Sequence, residues 1–127
     1  MRANELNAME SVLKALGDRT RLRILGLLMT GDVCVCHLHE SLRLPQPTVS
    51  RHLAYLRRTG LVESKKDGLW VHYRLCEPTD KVLRTIVASV THCVTHLPTT
   101  TQDRKRLERV TGCSGETTGA APEAACC

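Results

Sequence analysis

Two prolines, Pro45 and Pro47, interrupt an otherwise helical stretch, and no continuous helix passes them. The chain must turn at Leu44-Pro45-Gln46-Pro47 and restart a helix there, with Pro47 in the first turn, where its missing N–H costs nothing. The restarted helix runs to about Thr59 and stops at Gly60, with Val49, Leu53 and Leu56 in one stripe at i, i+4, i+7. The periodicity then drops from 3.6 to 2. Val62 to Lys66 and Leu69 to Leu75 flank Asp67-Gly68, the mark of a hairpin. On its second strand Leu69, Val71, Tyr73 and Leu75 point one way, and Trp70, His72 and Arg74 the other.

Upstream, Leu6, Met9, Leu13 and Leu16 define one face of a first helix ending near Gly17. Asp18 caps a second, Arg19 to about Met29, closed by Gly31. Asp32 is placed to cap a short third helix from about Val33 to Arg43. Downstream, Glu77-Pro78-Thr79 precedes a fifth helix from about Asp80 to His96. It carries Leu83, Val87, Val90, Val94 and Leu97 on one face and Val82, Ile86 and Cys93 on another. So wide an apolar surface predicts a helix–helix dimer interface, made by Leu6, Met9 and Leu13 of the first helix and Leu83, Val87 and Val90 of the fifth. After Pro98 the composition changes. Thr100 to Val110 suits a short charged helix, but residues 98–127 as a whole read as a flexible, Cys-containing C-terminal tail beyond a single domain of residues 1–97. The fold expected is mainly α with a β-hairpin wing (α+β): a winged helix-turn-helix dimerised by its first and fifth helices.

With Val49, Leu53 and Leu56 turned inward, Gln46, Thr48, Ser50, Arg51, His52 and Tyr55 occupy the outer faces of the fourth helix. These are groups able to enter a major groove and reach base edges or phosphates. Six Lys/Arg against two Asp/Glu lie between Gln46 and Leu75, so a net +4 of the chain's +5 is concentrated there. Lys65 and Lys66 make the wing basic. An ordinary solvated face explains each feature singly; their coincidence favours double-stranded DNA. Aromatics are only 2% of the 127 residues, which excludes the stacking platforms of single-strand and RNA binders. No apolar run approaches a membrane span, so a soluble cytoplasmic protein without a membrane partner is expected. Nothing points to catalysis: there is no Gly-rich phosphate loop and no credible triad.

Seven cysteines (34, 36, 76, 93, 113, 126 and 127) are an odd number without the spacing of a disulfide framework. Cys34 and Cys36, at the expected start of the third helix, are either ligands for a soft ion or two small core residues. Two apart in a regular helix, their side chains diverge by about 200°, so one ion takes both only if the first turn loosens.

The segments Ala15 to Leu25, Cys34-Val35-Cys36-His37-Leu38, Leu44 to Leu53 and Gly68 to Arg74 resemble the ArsR family of metalloregulatory repressors, over about residues 6–97 and closest to its arsenic-responsive branch. The resemblance implies a homodimer that represses a resistance operon from a palindromic operator. It needs no cofactor and leaves DNA when arsenite or antimonite binds Cys34 and Cys36. Trivalent arsenic takes three thiolates, and the third cysteine of the closest relatives is here His39. The third ligand is therefore open among Cys93, Cys113, Cys126 and Cys127. His92 and His96, four apart on the fifth helix, raise zinc, but the partner motif of the family's zinc sensors reads Thr79-Asp80-Lys81 here. The cadmium and lead sensors add N-terminal cysteines, and residues 1–33 contain none. The thiols are also compatible with a redox switch on the same fold, and the Cys and His content with a metal buffer that never touches DNA.

Overall fold

Asp18 separates the first two helices, α1 (Arg2–Leu16) and α2 (Arg19–Leu28), in the computed structural model, which describes residues 2–112. Its carboxylate accepts from the Thr20 and Arg21 backbone N–H groups at 2.9 and 3.0 Å, filling two donors that a helix start leaves open. Then follow β1 (Val33–Cys34), α3 (Val35–Leu42), α4 (Gln46–Arg58), β2 (Val62–Asp67), β3 (Trp70–Leu75), α5 (Lys81–Thr95) and α6 (Pro98–Thr111). The three strands form one antiparallel sheet in the order β1-β3-β2. The arrangement is the expected winged helix-turn-helix. Ile24, Leu25 and Leu27 of α2, Leu38 and Leu42 of α3, and Val49, Leu53 and Leu56 of α4 meet in one aliphatic core. The inner stripe read from the α4 sequence is fully buried.

The turn between α3 and α4 is set by Arg43, whose φ of 57° makes it the one non-glycine residue with positive φ among those described. The next N–H, that of Leu44, returns to the His39 carbonyl at 3.1 Å and closes α3 before Pro45. In the wing, Asp67 pairs with Trp70, so the two-residue loop is Gly68-Leu69, one position later than expected. Gly68 supplies the single positive φ (65°) at the first loop position, the pattern of a type II′ turn. Tyr73 and Leu75 pack on the core, whereas Leu69, expected on the same face, projects at the tip with 90% exposure.

Three expectations are corrected. Val33 and Cys34 do not begin the third helix; they pair with Tyr73 and His72 of β3, and α3 starts at Val35. Residues 98–111 are not a flexible tail but helix α6, which packs along α3 and against α2, so the folded unit extends past Leu97 to Thr111. And Val87, assigned to a dimer interface, is buried in the chain's own core, on which Leu83 and Val90 also pack.

The seat of α6 explains the second correction. A Cβ on Gly26 would lie 2.9 Å from Thr100 Cγ2 and 3.0 Å from Val94 Cγ1, so glycine is what lets the first turn of α6 settle on α2. Thr100 is buried there, donating to the Val94 carbonyl at 2.6 Å. One turn on, the fully buried Asp103 carboxylate accepts from Arg23 Nε and NH2, both at 2.9 Å, and from Arg106 NH2 at 2.6 Å. The same two arginines reach α3: Arg23 donates to the Leu42 carbonyl (3.0 Å) and Arg106 to the Ser41 carbonyl (2.7 Å). Removing one partner of such a pair strands the others without compensation. Asp103→Ala is therefore expected to lower the unfolding free energy in urea by about 3 kcal/mol. Arg109→Ala, on the exposed side of α6, should cost no more than about 0.5 kcal/mol.

Candidate nucleic-acid interface and cysteine site

The outer side of α4 carries Gln46 and Arg51 in the open, Thr48, Ser50 and His52 nearby, and Arg57 and Arg58 exposed in the last turns. Lys65 and Lys66 are exposed on the wing, opposite His72 and Val71 of β3. A cross-strand ion pair, Glu63 with Arg74, braces the hairpin. Arg57 NH1 donates to Ser64 Oγ at 3.0 Å, a surface link between the end of α4 and the wing. Arg57 and Arg58 extend the basic face beyond the residues expected from the sequence; they stand six and seven positions after Arg51.

His52 is placed differently from its expected role. Its Nδ1 lies 3.3 Å from Arg21 NH1 and 3.9 Å from Asp18 Oδ1, directed towards the α1–α2 junction. Because a guanidinium only donates, Nδ1 is the acceptor in this contact. Arg21 organises this corner. It donates to the Ala15 and Lys14 carbonyls at 2.8 and 2.9 Å, closing α1, and lies over the Tyr55 ring at 4.1 Å. Partial burial pushes the Asp18 carboxyl up. The Arg21 and Thr20 backbone N–H groups, together with the electrostatic influence of His52 and the Arg21 guanidinium, outweigh it and hold Asp18 below the usual carboxylate range. Its stabilisation of this corner is thus present at neutral pH and lost only as acid takes the pH down through that lowered value. The sequence does not reveal this role of Arg21, because its partners are backbone carbonyls and a ring, which leave no motif.

Cys34 is buried at 2% exposure and occupies the N-cap position of α3 in an extended conformation (φ −73°, ψ 145°). Cys36 is half-buried in the first helical turn. The two therefore straddle a strand–helix junction instead of both lying in the helix, and the divergence expected for a regular helix does not apply. His39, three residues after Cys36, faces elsewhere: its Nδ1 is 3.3 Å from the Leu44 carbonyl at the far end of α3. Cys93 is exposed on α5, which packs on α1, α2 and α6. Cys113, Cys126 and Cys127 lie outside the described residues. His92 and His96 stack edge to face at 4.8 Å. Among the described residues no three His, Cys, Asp or Glu side chains cluster to hold a metal, and no helix is long and apolar enough to cross a membrane.

Leu6 and Leu13 of α1 expose 68% and 50% of their surface along a shallow groove shared with Met9, Glu10 and Lys14. Val82 of α5 is 53% exposed.

Residues 18–64, from the Asp18 cap to the first half of β2, match the bacterial regulatory protein arsR family. An uncharacterised HTH-type transcriptional regulator of Methanocaldococcus jannaschii is 42% identical over 77 residues, covering 60% of this chain and 86% of that protein. The arsenical resistance operon repressor of Escherichia coli is 52% identical over 65 residues, which are 50% of this chain and 56% of the repressor's length. Among solved structures, HlyU from Vibrio cholerae, a transcriptional activator, superposes with a TM-score of 0.61 at 31% identity, covering 73% of this chain and 97% of that one. Relatives of such different outputs share one DNA-reading architecture, and the chain belongs to the ArsR family, whose members are DNA-binding transcription regulators and not enzymes.

Proposed function

We propose that the protein is a cytoplasmic repressor of an arsenical-resistance operon, a homodimer on a palindromic operator that it leaves when arsenite or antimonite binds Cys34 and Cys36. The observation that carries this reading is the position of the two cysteines. Cys34 belongs to a strand paired with the wing, and Cys36 to the first turn of the helix that feeds the recognition helix α4. A soft trivalent ion bonded to both sulfurs fixes their separation. It thereby biases the wing relative to α4, the two elements that must meet one duplex together. Such an ion releases DNA only through a higher affinity for the DNA-free arrangement. The 52% identity to the arsenical resistance repressor of Escherichia coli supports the choice of inducer.

On this reading arsenite weakens operator binding by about 5- to 150-fold, the usual range of coupling between sites. Cys34→Ser and Cys36→Ser keep full operator affinity and lose that response, while His39→Ala remains inducible. Fluorescence anisotropy with an operator duplex, titrated with arsenite, measures all three. Release of the double variant at the wild-type arsenite concentration would overturn the assignment. Release of the wild type by peroxide alone would favour a redox switch.

On DNA, Gln46, Thr48, Ser50, Arg51 and the outer edge of His52 serve the groove, and Lys65 and Lys66 the backbone. Ser50→Ala or Arg51→Ala should cost about 1–3 kcal/mol on cognate duplex and relax sequence preference. Lys66→Ala should weaken cognate and random duplexes alike and reduce the salt slope by about 1. Equal losses from both kinds of variant on both duplexes would remove the distinction.

The dimer is assigned to the exposed apolar ridge of α1, Leu6 and Leu13, with α5. A second copy covers leucines that the chain's own core leaves in water. Leu13→Asp, which disturbs no buried packing, should give a monomer in sedimentation equilibrium. A variant that stays dimeric places the interface elsewhere.

A further inference from the structure

One side chain bridges the helix assigned to the dimer and the helix assigned to DNA. Arg21, on α2, spends its three nitrogens on three different acceptors. Nε donates to the Ala15 carbonyl at 2.8 Å and NH2 to the Lys14 carbonyl at 2.9 Å, both in the last turn of α1. NH1 lies 3.3 Å from His52 Nδ1 on α4, and the guanidinium carbon stands 4.1 Å from the centre of the Tyr55 ring on the same face of α4. Ser50 and Arg51 immediately precede His52 on that helix. The side chain is only 12% exposed, and Asp18 Oδ2 stands 4.0 Å from NH1. A guanidinium is planar and presents its donors in a rigid fork. Serving acceptors on two helices at once, it fits one placement of α4 against α1, and a slide or rotation between them breaks at least one bond. The two α1 carbonyls are among those that a helix end leaves open, so they lose their partner when the fork leaves.

We propose that Arg21 is a positioning residue that sets which spacing of operator half-sites the protein accepts. This rests on the α1 dimer assigned above. Two copies joined through Leu6 and Leu13 present two α4 helices, and each α4 is aimed only as firmly as it is held to its own α1. DNA offers half-sites in discrete steps: one base pair adds about 3.4 Å and about 35° of rotation, a tenth of a helical turn. With the fork in place, one step lets both helices enter their grooves together. Without it, each α4 moves against the dimer helix. Neighbouring spacings then become acceptable, at a cost on the best one, because a looser pair of binding elements loses effective concentration. Charge alone does not supply this. A lysine keeps a cation beside Asp18 and Tyr55, but its single nitrogen cannot span the α1 carbonyls and His52 together.

The test uses the full-length protein and a palindromic duplex that the wild type selects from a randomised library, with one base pair inserted or removed at its centre. The wild type should lose about tenfold or more in affinity on either change. Arg21→Lys and Arg21→Gln should bind the selected duplex about tenfold more weakly, and the altered duplexes within about threefold of it. On a duplex holding one half-site both should stay within about twofold of the wild type, since the groove contacts themselves are kept. Sedimentation should show both as dimers. A loss of folded protein weakens every duplex by one factor and leaves the spacing profile sharp. A sharp profile in either variant therefore overturns the proposal, as does an equal loss on the single half-site, or a monomer. If Arg21→Gln does not fold, Arg21→Lys decides alone. If the wild type is itself indifferent to spacing, the reading as a dimer on a palindrome fails and the proposal falls with it. If wild type and variants discriminate spacing equally, that reading stands and only the role of Arg21 is lost.

Discussion

A single buried carboxylate, that of Asp103, holds three helices in register. It has no exposure to solvent, and two guanidiniums converge on it in compensation. Those guanidiniums also satisfy carbonyls at the end of α3. The consequence is geometric. Aliphatic packing between α2, α3 and α4 tolerates small slips, but a fork of hydrogen bonds to a buried carboxylate does not. The turn that launches α4 begins one residue after Leu42, so the recognition helix inherits its position from this network.

Around that frame the protein divides its polar groups by task. On α4, Arg51 and Gln46 remain open to solvent, whereas Arg57 is tied to Ser64 and His52 leans on Arg21 and Asp18. Charge alone does not distinguish a residue free to meet DNA from one that aims its neighbours. The hydrogen-bond partners do. The aromatic poverty of the chain sharpens the division, because Tyr55 spends its ring as a platform for Arg21 and Arg58.

Much of the fold was legible in the sequence where local signals and tertiary demands agree. Asp18 caps α2 as its position implies, the α4 stripe is the buried one, and the change of period marks the wing. The misses have physical causes. A two-residue strand such as β1 has no period of its own; it exists because β3 lies beside it. The segment from Thr99 to Arg109 is so polar that it reads as solvated, and only burial reveals that Asp103 and Thr100 are its anchors. The breadth of the apolar surface on α5 was legible, but not which stripe the chain keeps for itself, and Val87 fell on that side. For the cysteine site, residue type and spacing were legible; the strand–helix junction that separates Cys34 from Cys36 was not.

The shortness of β1 has an energetic corollary. A long strand would weld the start of α3 to the wing, and no small ligand could supply enough free energy to shift one against the other. Two residues, Val33 and Cys34, are joined to β3 by a ladder whose backbone hydrogen bonds are worth about 0.5–1.5 kcal/mol each. That sum lies on the scale of the roughly 1–3 kcal/mol by which two sites in a protein typically influence each other. The seam is strong enough to keep the resting arrangement and weak enough to yield to a coupling of that size.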